Sequence, residues 1–114
     1  MADRETFFVG VDIGTTSVKA VVYDGVGRVA GHHTVGYPLH APAPSVAEQD
    51  PDEIFAATVA AIGGAVVAAS GAARGAVAGV AFSAAMHSVI AVDASGAPLT
   101  ASITWADNRS AASA

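Results

Sequence analysis

Val9-Gly10-Val11-Asp12-Ile13-Gly14-Thr15-Thr16-Ser17-Val18-Lys19-Ala20-Val21-Val22-Tyr23-Asp24 decides the reading of this chain. Two apolar extended runs flank a tip of small and hydroxyl-bearing residues, with one carboxylate just ahead of it. A triphosphate needs closely approaching backbone N–H groups, hydroxyl donors, a cation, and a carboxylate to hold Mg²⁺ through its waters. Gly14, Thr15, Thr16, Lys19 and Asp12 supply these, with Asp12 as the metal-side group. The bland alternative is a hairpin whose tip is polar because turns are polar. Asp12 weighs against it, since a carboxylate left unpartnered at an apolar strand end costs on the order of 1–3 kcal/mol. The run matches neither G-x-x-x-x-G-K-[ST] nor G-x-G-x-x-G, so the two commonest nucleotide fingerprints are excluded.

The 114 residues are 53% hydrophobic, with a mean hydropathy of +0.51, enough to build a core within one domain or part of one. A formal charge of −5 with five Lys plus Arg argues against nucleic acid and anionic membrane as partners, because both demand clustered cations. A small-molecule ligand is the expectation that remains. No cysteine is present, which removes disulfides and thiolate metal sites. The charged start, Met1-Ala2-Asp3-Arg4-Glu5-Thr6, lacks the pattern of a secretory signal and predicts a cytoplasmic location. The Ala56 to Ala69 run, interrupted by Gly63 and Gly64, is too short to span a bilayer.

Alternation at Phe7, Val9, Val11 and Ile13, then Val18 to Tyr23, then Arg28 to Tyr37 after the Asp24-Gly25-Val26-Gly27 turn, predicts three antiparallel strands. Three prolines between Pro38 and Pro44 make the following segment an extended connection. Asp50-Pro51-Asp52-Glu53 opens a helix, with Asp50 as N-cap, Pro51 in the first helical position and Glu53 completing a capping box. Phe55, Val59, Ile62, Val66 and Ala69 form the stripe expected to face the sheet. Gly63 and Gly64 imply close helix-to-sheet approach or a bend, and Gly71 a stop. Val77 to Phe82 reads as a buried strand, Val89 to Val92 as another, Ala94 to Pro98 as a turn and Ser102 to Trp105 as a last short strand.

The phosphate-binding tip between antiparallel strands resembles the first phosphate motif of the actin/Hsp70/sugar kinase superfamily. Strand, strand, strand, helix, strand is the start of a ribonuclease H-like half-domain: α/β, with a mixed sheet of three antiparallel strands, a helix, then further strands. Four islands in order make the resemblance specific: Gly10 to Lys19, Glu48-Gln49-Asp50-Pro51, Gly79 to Ser88 with its Met86-His87 pair, and Ile103-Thr104-Trp105-Ala106-Asp107-Asn108-Arg109. Together they resemble the N-terminal part of an FGGY carbohydrate kinase, over about Phe8 to Ser110. The Met-His pair is similar to the gluconokinase and xylulokinase branches, and the Trp-Ala-Asp-Asn-Arg run most to gluconokinase. On that resemblance residues 1–114 are an incomplete N-terminal kinase domain without the C-terminal lobe.

The resemblance implies ATP with Mg²⁺ as cofactors and a sugar or sugar acid as substrate, gluconate ahead of a pentulose. It sets Met86, His87, Trp105, Asp107 and Asn108 on the sugar. Taken one by one these residues have plainer readings: a lone histidine is more often a satisfied core residue, a tryptophan more often core, and Asp107 or Asn108 could cap a following helix. The family's general-base aspartate lies on a later segment, so the piece alone is expected to be inactive. Its uncovered sheet face or edge is expected to favour self-association. An actin- or Hsp70-like ATPase module without a sugar substrate shares the phosphate turn but has no reason to carry the Met86-His87 and Trp105 to Arg109 islands.

Overall fold

The computed structural model describes residues 6–69 and 76–113. Strands β1 (Phe7–Ile13), β2 (Ser17–Tyr23) and β3 (Val29–Gly36) form an antiparallel meander. A two-residue strand β4 (Glu48–Gln49) precedes helix α1 (Pro51–Ala68), and β5 (Val77–Ala84), β6 (Ser102–Ile103) and a 3-10 turn η1 (Arg109–Ser113) follow. The main sheet runs β3-β2-β1-β5, with β5 parallel to β1, and β4 pairs with β6 in a small second sheet. The α/β class, the mixed sheet and the three antiparallel strands are those predicted.

Alternation sorts the two faces of the meander. Phe7, Val9 and Val11 of β1 and Val18, Ala20 and Val22 of β2 are buried beneath α1. Burying Val18 and Val22 completely contributes about 1.5–3 kcal/mol each. The opposite face carries Phe8, Gly10, Asp12, Lys19 and Tyr23, and no layer covers it among the described residues. At the β2–β3 turn, Asp24 accepts from the Val26 and Arg28 N–H groups and pairs with the Arg28 guanidinium at 3.0 Å. Gly27 takes φ +88 there, which only glycine adopts at no steric cost.

Helix α1 begins as predicted, with Asp50 as N-cap accepting from Asp52 N–H at 2.9 Å and Pro51 following. The capping box does not form: Glu53 turns to His40 Nε2 at 3.1 Å rather than back to the cap. The predicted apolar stripe is corrected in part: Ala69 is buried and Ile62 and Val66 pack against the core as expected, but its other two members point outward. Phe55 and Val59 are 72% and 56% exposed, whereas Ala57, Ala61, Ala65 and Ala69 face the sheet, flanked by Ile54, Ile62 and Val66. The reason is distance. A Cβ on Gly31 of β3 would lie 2.5 Å from Ala69 N and 2.7 Å from Ala65 O, so helix and strand backbones nearly touch, and only methyl groups fit between them. Gly64 belongs to this contact, against the His33 ring, while Gly63 faces open space. Running through both glycines, α1 has the length and apolarity of a membrane-crossing segment, more than the interrupted run suggests, but its alanine face is core. The predicted stop at Gly71 falls outside the described residues.

Strand β5 is at the predicted place but exposed along nearly its whole length, contrary to the buried reading. It forms one edge of the sheet, and α1 covers β2 and β3 while stopping short of it. Val89 to Val92 is not a strand: Val89 and Val92 make only isolated bridges, to Ile103 and Pro98. The radius of gyration, 17.4 Å, exceeds the roughly 13 Å of a compact domain this size, in keeping with a long axis of 65 Å.

The helix–sheet contact makes opposite demands on two glycines. Gly31→Ala should lose about 1–3 kcal/mol of unfolding free energy, because backbone must move to admit the methyl. Gly63→Ala should gain up to about 1 kcal/mol from helix propensity. Urea denaturation of the two variants beside the parent checks both signs.

Candidate functional site

The hairpin tip between β1 and β2 is held from beneath. Gly14 N–H donates to Ser17 O at 2.9 Å, closing the turn, and Tyr37 N–H donates to Thr16 O at 3.0 Å. The Tyr37 hydroxyl donates to the Gly14 carbonyl, with the Ser17 carbonyl 3.2 Å away, and Gln49 Nε2 donates to the Thr15 carbonyl. Four consecutive carbonyls are thereby engaged by the protein. The Thr15 and Thr16 N–H groups have no acceptor among the described residues. Burial, and secondarily the charge of Asp12, pushes the Tyr37 hydroxyl above the ordinary phenol range, so it remains a donor at neutral pH.

One step back along the hairpin, Asp12 pairs in register with Lys19 of β2 on one side and Ser83 of β5 on the other. Residues paired in register share a face of the sheet. All three line an open cavity of about 440 Å³ on the uncovered face, with Tyr23 at its far end. Asp12 is solvent-exposed there rather than sunk in apolar surroundings, so its carboxylate can reach a hydrated cation. Gly14, Thr15 and Thr16 adjoin this cavity at the hairpin tip without lining it; the uncommitted amides and threonine hydroxyls there, with the carboxylate and ammonium inside, are the donor set that suits a magnesium-bound triphosphate.

The sugar-side candidates are gathered only in part. β5 ends beside β1, with Ala85 N–H donating to Ile13 O at 2.8 Å, so Met86 and His87 leave the sheet next to the Gly14 turn. His87 is exposed, not a core histidine, and its φ of 61° places a non-glycine residue in the left-handed region. That conformation costs on the order of 1–3 kcal/mol and persists only where surrounding structure imposes it. His87, Trp105 and Asp107 line a second open cavity, of about 790 Å³, with Arg109 and Ser110. Trp105 is 61% exposed and so is not core. Met86 and Asn108 are exposed outside that lining; the Asn108 backbone is tied to Ser45 and Ala111.

Asp107 is occupied. Its carboxylate accepts from Ala47 N–H at 2.7 Å and Arg109 N–H at 3.0 Å, and it chelates the Arg109 guanidinium, whose Nη2 also lies 2.6 Å from Glu48. Its side chain is 2% exposed. The Arg109 hydrogen bonds hold its acid well below the usual carboxylate range, and the same bonds keep Arg109 charged. This cluster fastens the segment after β6 to β4, and Asp107 caps η1, the plainer of its two readings. Sequence reasoning passed over Tyr37, Ser83 and Arg109 and gave Gln49 no role. The only sign was that Gln49, Ser83 and Arg109 lay inside the islands that carry the family resemblance, without a chemistry of their own.

The family model for the FGGY family of carbohydrate kinases, N-terminal domain, matches residues 7–114. A gluconokinase of Bacillus subtilis is 46% identical over 105 residues, covering 92% of this chain and 20% of the relative. A xylulose kinase of Staphylococcus epidermidis is 33% identical over 101 residues, covering 89% and 20%. The crystal structure of gluconate kinase from Lactobacillus acidophilus superposes with a TM-score of 0.83 at 34% identity, covering 95% of this chain and 21% of that one. The fold is therefore that of the sugar kinases, the actin/Hsp70-like, ribonuclease H-like type. The chain spans about one-fifth of the length of these relatives.

The cluster around Asp107 has a pH signature. A depressed carboxylate pKa contributes stability that is present above the unfolded value, near 3.8, and lost as pH falls through the folded one. Asp107→Asn should therefore lower the melting temperature at pH 7, with the gap to the parent constant down to about pH 4 and closing below it. A gap widening toward acid would contradict the assignment.

Proposed function

The chain belongs to the FGGY family of carbohydrate kinases, and we propose that it is the N-terminal part of a kinase that phosphorylates a terminal hydroxyl of gluconate. The observation that carries this reading is the emergence of the Gly14 turn and the Met86-His87 segment side by side from the carboxyl ends of the parallel pair β1 and β5. A phosphate grip and a polyol grip are thus neighbours, which phosphoryl transfer requires. Identity to the Bacillus subtilis gluconokinase supports gluconate over a pentulose; the xylulose kinase relatives make a pentulose the second reading.

When bound, Mg·ATP supplies the phosphoryl group. Asp12 would hold the hydrated cation, Thr15 and Thr16 would donate N–H and hydroxyl hydrogens to the phosphates with Gly14 keeping the approach open, and Lys19 would offset their charge. On the other side Trp105 walls the sugar and His87 reaches its hydroxyls, while Met86 and Asn108, which the resemblance also sets on the sugar, stand outside the lining of that cavity. Asp107 serves this side by holding the Trp105 to Arg109 segment in place rather than by spending its own hydrogen bonds on substrate. The acceptor proton passes to an aspartate on a later segment of the full-length protein. A cytoplasmic setting suits a chain without cysteine that works on Mg·ATP.

In the full-length protein, Asp12→Ala should weaken Mg·ATP binding at least tenfold by calorimetry; unchanged affinity would leave the turn merely structural. Thermal shift of the parent with gluconate, xylulose, ribulose and glycerol, each with and without Mg·ATP, should single out gluconate, since ligand at 100 times its Kd adds about 2.7 kcal/mol. Stabilisation by xylulose alone would overturn the substrate choice. Residues 1–114 by themselves should show no ATP-dependent gluconate phosphorylation in a coupled assay and should scatter light as more than a monomer. Turnover would refute the first expectation and a monodisperse monomer the second.

A further inference from the structure

Peptide planarity gives the hairpin tip a property that its residue types alone do not. In a trans peptide the carbonyl of one residue and the N–H of the next point in opposite directions. The Gly14 carbonyl is taken by the Tyr37 hydroxyl and the Thr15 carbonyl by Gln49 Nε2. The Thr15 and Thr16 N–H groups are thereby turned away from both anchors, and neither finds an acceptor among the described residues. Tyr37 and Gln49 are themselves buried, at 8% and 6% exposure, so the anchors are fixed before any ligand arrives.

From this geometry we infer that Tyr37 and Gln49 are positioning residues for the triphosphate: by fixing the carbonyls of the tip they orient its amides toward the phosphates. The inference rests on the phosphate-binding role of the turn. It gives a task to Gln49, which the Glu48-Gln49-Asp50-Pro51 island carries just ahead of the helix cap. It also accounts for a tyrosine at the end of β3, where an apolar residue would fill the same space without reaching two carbonyls. Neither side chain touches the reacting atoms; both act through the backbone they hold. Preorganised amides cost nothing to orient when the ligand binds, whereas a tip free to flip its peptides must first be ordered.

The test uses the full-length protein with Tyr37→Phe and Gln49→Met, which keep shape and remove the donor. Both are titrated with the Mg²⁺ complex of a non-hydrolysable ATP analogue and, separately, with gluconate. Each variant should bind the nucleotide analogue roughly 5- to 30-fold more weakly while its gluconate affinity changes less than about twofold, the ratio expected when only the phosphate side is disturbed. Equal losses on both ligands, or an unchanged nucleotide affinity, would overturn the inference. Amide exchange in the unmodified protein gives a readout independent of variant folding: the analogue should slow exchange at Thr15 and Thr16, and unaltered exchange there would also overturn it. Absence of nucleotide binding by the unmodified protein would instead defeat the kinase reading, and the inference with it.

Discussion

Helix α1 and strand β3 approach until backbone meets backbone, and most of what this chain can do hangs on that contact. Gly31 leaves no room for a side chain opposite Ala65 and Ala69, and Gly64 seats the His33 ring. A helix that close cannot slide or roll without collision, because packed interiors resist even small displacements. Its near end therefore delivers Gln49, immediately before the N-cap, to a fixed place, just as the far end of β3 delivers Tyr37. Both then close on the β1–β2 tip. The apolar contact sets the frame, and the hydrogen bonds set the orientation of individual peptide groups within it.

The two halves of the candidate site are built by different physics. On the phosphate side, strand pairing puts Lys19, Asp12 and Ser83 in a row on the open face, so relative position follows from register alone. On the sugar side little is regular. The His87 to Trp105 region is held by the two-residue β4–β6 ladder, isolated bridges, a left-handed histidine and the Arg109 pairs to Asp107 and Glu48. Interactions of that kind shift more readily than a sheet does. On the function proposed above, the ordered half would receive the ligand common to kinases and the adaptable half the one that differs among them.

Much of this was legible from residues. Alternation placed β1 and β2 because one face of each is buried and the other is not, the condition under which a period of two is informative, and the Asp24-Gly25-Val26-Gly27 turn placed β3, whose burial does not alternate. The Asp50-Pro51 start was legible because capping is local chemistry. What failed failed for tertiary reasons. Size points to Phe55 and Val59 as part of the inner face of α1 with Ile62, Val66 and Ala69; the last three do meet the core, but at the centre of the contact the sheet lies too near for large side chains and alanines take their place. β5 was read as buried from its apolar content, which cannot report that it is the edge strand. Val89 to Val92 has the composition of a strand but no ladder to join. Asp107 reads in sequence either as a ligand for sugar hydroxyls or as a cap, and only the fold displays the Ala47 amide and the Arg109 guanidinium that occupy its carboxylate. Gln49 reaches Thr15 across the fold, a link no periodicity encodes.

The methyl-lined underside of α1 has a consequence for how such a sequence can drift over time. An ordinary amphipathic helix tolerates exchanges among leucine, isoleucine, methionine and phenylalanine on its inner side, because volume lost at one position can be regained at the next. Here there is no volume to trade: each inner residue is already nearly the smallest that keeps helix propensity, and its only smaller substitute weakens the helix. Divergence is thereby driven to the outward side, where Phe55 and Val59 stand, and lineages that keep this packing should differ in what they present to the surroundings while remaining nearly identical within.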